Sequence, residues 1–521
     1  MFSSVFSVAL CGLEGTVIRV EADVRNGLPT FSMVGYLSTQ VREAEERVRS
    51  AMANSGFSQE PKRITVNFSP ADIRKEGTSY DLAVAVAVLS ARLSLSEEKL
   101  QSSVFIGELS LSGELCPVAG ILPKVLCARE AGFPQVFLAA ANAHEAAICS
   151  GIRVLPFHDL SQVISYLADE EEAEPDVAVE AGDGGTEMVP PSDRPDFSDV
   201  HGQESVKRAM MVAAAGRHAM LMVGSAGAGK TMLARAFPGI LPPLTEEEQM
   251  EVTRIASVAG LLSPGQGMIT ERPFRAPHHT ISPTAMAGGG SRPKAGEITL
   301  AHRGVLFLDE LAEFPRGTLQ VLRQPLEQGM IRIDRLQGSV IYPADFQLLA
   351  AMNPCACGFY PDRKRCSCNE LQVRSYLGKL SRPFLDRFDL FVWAKPVSLG
   401  ELAGWEVPLA AKDSEGMTSA EIRELVVAAQ EREARRFQGE GIRFNAQMSG
   451  KQTEHYCRIR PEDRNMLATA FAELGISARG YHRILRVART IADLRGGEEI
   501  LSQDLAEAIG YRQMLDTFFR K

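Results

Sequence analysis

No stretch of the 521 residues holds 18 consecutive apolar side chains, so no transmembrane helix and no membrane partner are expected. The opening Met-Phe-Ser-Ser-Val-Phe-Ser-Val-Ala-Leu-Cys-Gly-Leu-Glu lacks the basic segment of an export signal, and its apolar run stops at Glu14. The expected compartment is the cytoplasm. A disulfide framework is also missing, since nine cysteines is an odd count in a large chain without an export signal. No internal repeat is present. Apolar residues at 45% and charged residues at 23% exclude fibrous and wholly disordered classes. The length suggests about three domains.

Basic side chains are nearly absent from residues 169–199, where Arg194 faces twelve acidic residues. That segment contributes −11 to a net charge of −9, so the rest of the chain sums to +2. An acidic total therefore does not exclude a nucleic-acid partner, which depends on local patches. Residues 169–196 are rich in Gly and Pro and poor in large apolar side chains, which predicts a flexible linker.

Residues 1–168 mix strand alternation, as in TVIRVEADV (16–24) and KRITVNFS (62–69), with helical spacing in VREAEERVRSAMANSG (41–56) and YDLAVAVAVLSARL (80–93). They are expected to form an α+β domain. Residues 197–396 read as α/β, because HAMLMVG (218–224) and GVLFLDE (304–310) are apolar runs suited to buried parallel strands. Residues 397–521 turn helical, with four amphipathic segments.

Gly224-Ser225-Ala226-Gly227-Ala228-Gly229-Lys230-Thr231 fits the phosphate-loop pattern between a predicted strand and a predicted helix. Its backbone N–H groups and the helix dipole suit phosphates. Lys230 reaches the β and γ phosphates of ATP, and the Thr231 hydroxyl suits Mg²⁺. Asp309 ends the second apolar run 79 residues after Lys230, placed to hold Mg²⁺. Glu310 beside it is the expected activator of the attacking water, which favours ATP hydrolysis over mere binding.

Cys355-Ala-Cys357 and Cys366-Ser-Cys368 are separated by eight residues. In extended backbone, residues two apart face the same side, so each pair presents two sulfurs together. Four thiolates suit a closed, structural Zn²⁺ site; four free thiols on a loop are the alternative. The remaining cysteines, Cys11, Cys116, Cys127, Cys149 and Cys457, are expected as buried apolar residues.

The block PFRAPHHTISPTAMAGGGSRPKAGEITLAHRGVLFLDELAEF (273–314), with VLRQPLEQGMIRIDR (321–335) and LLAAMNPCACG (348–358), resembles the magnesium-chelatase-like AAA+ ATPases, and within them a bacterial competence branch. The resemblance implies an AAA+ domain at 197–396 and a helical lid at 397–521. It implies that Asn353 contacts the γ-phosphate or attacking water, that Arg387 acts on a neighbour's ATP, and that Arg479 reaches the nucleotide from the lid. Arg483 and Arg486 share that lid helix. Arg382 stands where the family usually has Gly, so it too is a candidate to cross the interface. A finger that acts in trans implies a homohexamer. Residues 1–168 resemble the proteolytic domain of Lon-type proteases. The serine segment matches at Ser79, but the lysine position is occupied by Leu122, with Lys124 two residues on. A hydroxyl without a placed base is a poor nucleophile, so Ser79 is expected to cap the following helix and the domain to serve DNA binding and assembly rather than proteolysis.

GMIRIDRLQGSVIYPAD (329–345) alternates in the strand period and predicts a hairpin turning at Gln337-Gly338. In the family such a hairpin lines a central pore. With Arg332 and Arg335 on the hairpin, and Arg272, Arg275, Arg292 and Lys294 in a second insert near 254–303, the expected ligand is a DNA backbone bound without sequence reading. An ordinary solvated face is the alternative. The resemblance implies a helicase with branch-migration activity in homologous recombination of incoming DNA during natural transformation. The rivals are an ATPase subunit for inserting Mg²⁺ into a porphyrin, an ATP-dependent protease, and a protein-remodelling chaperone.

Overall fold

The computed structural model describes residues 1–57, 61–169, 194–263, 265–290, 294–335, 338–396, 416–474 and 476–519. The expected linker at 169–196 lies mostly outside them, as does the start of the expected lid at 397. Among the described residues no helix is long and apolar enough to cross a membrane.

Strands β1 (Phe2–Cys11), β2 (Glu14–Asn26), β3 (Thr30–Val34), β4 (Lys62–Ser69) and β5 (Ser103–Phe105) belong to a mixed seven-stranded sheet; β6 (Glu108–Leu109) and β7 (Leu115–Cys116) form a separate hairpin. With β8 (Gln135–Ala139) and β9 (Arg153–Phe157), the sheet runs β3-β4-β2-β1-β5-β8-β9. The helices Thr39–Asn54 and Asp81–Ser90 cover it. Small side chains make the second helix almost wholly buried. Ser79 does not cap this helix, contrary to expectation. Tyr80 occupies the cap position without a side-chain bond, and the first-turn N–H of Leu82 is satisfied by the Gly107 carbonyl at 3.1 Å. The acceptor comes from a segment 25 residues further along the same chain, so no hydroxyl is needed there.

A second sheet follows. Strands β10 (Met220–Gly224), β11 (Phe274–Arg275), β14 (Val305–Leu308), β17 (Gln347–Met352) and β18 (Leu390–Ala394) are all parallel, in the order β11-β14-β17-β10-β18. Between them lie two small hairpins, β12 (Gly288–Gly289) with β13 (Lys294–Ala295), and β15 (Met330–Arg335) with β16 (Gly338–Pro343). Arg335 pairs with Gly338 at the end of the second hairpin, and Gln337 of the expected turn lies outside the described residues. All four C-terminal amphipathic segments are helices: Ser419–Arg436, Arg464–Leu474, Ala478–Arg495 and Ser502–Phe519.

The first sheet is docked onto the second unit at two places. The helix Ile121–Glu130 packs against the helix Glu246–Ala259, where Gly120 N–H donates to the Ser257 carbonyl at 3.0 Å and the Ser257 hydroxyl donates to Glu145. Glu145 also accepts from the Leu122 N–H at 3.0 Å. The segment that matches the lysine region of Lon-type proteases is thus part of the docking interface. Lys124 is buried there; burial lowers its pKa to about 8 against the opposing pull of Glu145. The second contact is the β1–β2 turn, where Arg254 donates to the Leu13 carbonyl at 3.2 Å and Gly12 meets Val340 and Tyr342 of β16. The cysteines follow expectation at Cys149 and Cys457, which are buried, whereas Cys11 is exposed because it sits at the end of this turn.

Gly12 has φ +64, and a Cβ there would lie 2.4 Å from Val340 Cγ1. Gly12→Ala is therefore expected to destabilise the docked chain by about 1–3 kcal/mol. Urea unfolding measures this, and an unchanged first midpoint would show that the turn does not bear on the hairpin.

Candidate nucleotide site and metal centre

The carboxyl ends of β10, β14 and β17 converge, and β10 lies between strands on either side that come later in the chain. Open parallel sheets bind ligands at such a switch point. Gly227 and Gly229 hold the loop after β10 in the left-handed region at φ +78 and +77, and a Cβ built at either meets nothing within 4 Å. The loop therefore faces open space with its backbone, and the helix Lys230–Ala236 begins directly behind it.

Lys230 is buried at this edge. Its Nζ donates to the carbonyls of Gly224 at 2.7 Å and Ser225 at 2.9 Å, and to Asn353 Oδ1 at 3.2 Å. Burial lowers its pKa, with Asp309 and Glu310 pulling the other way. Thr231 Oγ1 donates to Asp309 Oδ2 at 2.7 Å, so two hard oxygen donors from different elements meet. That donor pair fits Mg²⁺, which takes few carboxylates and keeps other positions for water and phosphate oxygens.

Glu310 stands in the left-handed region at φ +52, a conformation that costs a side-chain-bearing residue about 1–3 kcal/mol. Its N–H donates to Asp309 Oδ1 at 2.9 Å, which helps hold the turn. His279 Nδ1 lies 3.0 Å from its carboxylate. The His279 ring lies against that of His278, with centroids 4.1 Å apart and planes tilted by 35°, and His278 is bonded to Thr280 at 2.9 Å. Sequence reasoning did not single out His279; its signal was the doubled histidine in a segment quoted only for its resemblance.

The other expected residues divide. Asn353 is in the constellation through Lys230. Arg387 is held within its own subunit by Glu327 and the Pro383 carbonyl, and burial lowers its pKa. Arg382 is exposed and lies 3.8 Å from Asp386. On the lid helix, Arg483 is bonded to Asp389 at 2.9 Å, and Arg486 to Thr453 and the Ala446 carbonyl. Arg479 is exposed, with no side-chain partner among the described residues.

Two expected DNA contacts are occupied internally, which corrects the picture of free cations. Arg272 donates to the carbonyls of Pro242, Pro243 and Arg303 and to Glu248, and Arg275 forms a two-pronged pair with Glu297 at 2.7 and 2.8 Å. Both guanidinium groups are thus engaged within the chain, one by Glu248 of the helix Glu246–Ala259 and one by Glu297 of the insert itself. Arg332 is exposed on the solvent face of β15, bonded to Ser339 at 2.8 Å, and Lys294 is exposed on β13. Arg292 and the Arg335 side chain lie outside the described residues.

The sulfurs of Cys355, Cys357, Cys366 and Cys368 lie within 4.8 Å of one another, with three pairs at 3.4, 3.5 and 3.8 Å. Four sulfurs about 2.3 Å from one Zn²⁺ are about 3.8 Å apart, so the cluster is compatible with a structural zinc.

Comparison with known proteins follows the same lines. The chain matches the families described as magnesium chelatase, subunit ChlI, over residues 196–402, subunit ChlI of Mg-chelatase over 20–142, and magnesium chelatase, subunit ChlI C-terminal, over 416–512. It is 40% identical over 519 residues to the competence protein ComM of Haemophilus influenzae, covering 98% of this chain and 97% of that one. The chain belongs to the magnesium-chelatase-like ComM/YifB family. YifB of Salmonella typhimurium is 41% identical over 510 residues, 97% of this chain and 96% of its own. A Lon protease from Mycolicibacterium smegmatis is 26% identical over 170 residues, 30% of this chain and 21% of its own. As a member of the ComM/YifB family the chain is a magnesium-chelatase-like AAA+ ATPase, and family members of this type assemble as oligomers.

Lys230→Ala is expected to lose nucleotide binding together with turnover. Glu310→Gln is expected to keep binding while turnover falls about a hundredfold or more. Nucleotide titration beside a phosphate-release assay separates the two, and near-normal turnover by Glu310→Gln would displace Glu310 from its assigned role.

Proposed function

We propose that this protein is an ATP-driven homohexameric DNA motor, a helicase with branch-migration activity that serves homologous recombination of incoming DNA during natural transformation. The observation that carries the ATPase part is the meeting of three strand ends through the Lys230–Asn353 and Thr231–Asp309 bonds. The DNA part is supported by similarity along nearly the whole chain to a protein named for competence. Lys230 and the loop N–H groups hold the phosphates, Thr231 and Asp309 hold Mg²⁺, and Glu310 takes the proton of the attacking water, oriented by His279. Bound Mg²⁺ supplies charge neutralisation at the phosphate oxygens. Asn353 contacts the γ-phosphate or the water, Arg479 reaches in from the lid, and Arg387 leaves Glu327 to act on the neighbour's nucleotide. Zn²⁺ sits among Cys355, Cys357, Cys366 and Cys368. Arg332 and Lys294 meet DNA phosphates, as do Arg335 and Arg292.

The direct test is ATP turnover with no DNA, with single-stranded DNA and with forked DNA. Stimulation by DNA, strongest with the fork, is expected. Stimulation by unfolded protein alone would point to remodelling, and turnover indifferent to any DNA would remove the motor reading.

Arg387→Ala is expected to bind ATP yet turn it over poorly. Mixed with Lys230→Ala subunits, it forms composite sites in which an intact phosphate loop faces an intact finger, and part of the activity returns. Assembled mixtures that recover nothing would argue against action in trans.

A further inference from the structure

Residues 353–369 contain neither helix nor strand, yet they join the most ordered parts of the site. The segment leaves β17 at Asn353, which accepts from Lys230 at 3.2 Å, and its first cysteine comes two residues later. It then turns at Gly358, whose N–H donates to the Cys355 carbonyl at 3.0 Å and whose φ is +84. A Cβ built on Gly358 points at the phosphate loop, 3.8 Å from the backbone nitrogen of Ala226. The next turn brings the Tyr360 N–H to Cys355 Sγ at 3.4 Å.

The far end enters another ordered element. Cys368 is followed by Asn369, the N-cap of the helix Glu370–Leu377, and the Asn369 side chain accepts from the Gln372 N–H at 2.8 Å. The segment from Asn353 to Asn369 therefore joins the end of β17 to the start of that helix, and the four sulfurs gather from both of its ends. Turn hydrogen bonds alone are weak restraints on so long an irregular segment, because every residue that is ordered loses backbone entropy. A tetrahedral ion bonded to both ends removes most of that freedom in one step.

We propose that the four-cysteine loop is a metal-dependent brace of the nucleotide site. With Zn²⁺ bound it fixes Asn353 against Lys230 and backs the phosphate loop at Ala226, so metal occupancy sets nucleotide affinity. The inference rests on the reading of the cysteines as zinc ligands and is independent of any role for DNA. When the braced loop is populated only about a tenth of the time, the apparent Kd rises about tenfold.

The experiment uses the full-length chain and a fluorescent ATP analogue. Zinc per chain and analogue Kd are measured on protein as purified, on protein stripped by a chelator and returned to magnesium buffer, and on protein reloaded with zinc. Gly358→Ala and Cys366→Ser are measured alongside, with folding followed by circular dichroism. One zinc per chain is expected, with Kd about tenfold higher after stripping and restored by reloading. Gly358→Ala should keep its zinc and still bind the analogue more weakly, because a side chain at φ +84 strains the turn that lies against Ala226. A stripped, folded chain with the original Kd would overturn the brace, as would an unaltered Kd in Gly358→Ala. Wild-type protein without zinc would overturn the metal reading beneath it, whatever DNA does to turnover.

Discussion

The hydrogen bond between Thr231 and Asp309 spans two elements that are 78 residues apart in the chain, and the site exists only because the sheet brings them within 2.7 Å. Parallel strands make this possible. Each strand presents its carboxyl end to the same edge, and the loops leaving that edge supply phosphate-binding backbone, carboxylates and the Asn353 amide. A carboxylate so placed loses water contacts, and the cost is offset by the neighbouring hydroxyl, the Glu310 N–H and the Lys230 ammonium. The left-handed backbone at Glu310 is a local cost of the same arrangement, tolerated because the strand before it is wholly buried.

The lid is attached by a polar network. Asp389, at the start of β18, is bonded to Arg483 of the lid and lies against the His218 ring at 3.2 Å, while the other nitrogen of that ring meets Thr490 at 2.8 Å. Burial alone would raise the Asp389 pKa, but Arg483 and His218 outweigh it and hold it down at about 2. Deeper in the lid, Asp493 is shared by Arg436, Arg489 and Asn445, and Asn445 also binds Glu433, whose pKa burial pushes well above the usual range. With Arg483 and Arg486 committed to such contacts and Arg495 paired with Asp504, Arg479 is exposed with no side-chain partner among the described residues.

Much of the site was legible because phosphate loops have a fixed local grammar. The pattern ending in Lys230-Thr231 needs no tertiary information, and the apolar run before Asp309 announces a buried strand. The cysteine spacing carried its own geometry. Hydrophobic periodicity gave the four C-terminal helices and the strands β2, β4, β10 and β14. Partnerships made across the fold were not legible. His279 reaches Glu310 from another strand end, Glu327 holds Arg387 from another helix, and Arg272 and Arg275 are neutralised by carboxylates on other elements. Basic residues in an insert look alike in sequence whether they face solvent or a buried glutamate. The cap assigned to Ser79 failed for a related reason, since the acceptor at the helix start is a distant carbonyl.

The seat of the β1–β2 turn on the hairpin has a bearing on inheritance. Val340 and Tyr342 are almost wholly covered, and Gly12 leaves no room for a side chain between them. A side chain at 12 would be strained at φ +64 and would also meet Val340, so a smaller residue at 340 relieves only the contact. Residues 11–13 and 340–342 therefore form one unit of selection, although more than 300 positions separate them. Replacing the first 168 residues as a block would therefore require the hairpin to be matched to the new turn.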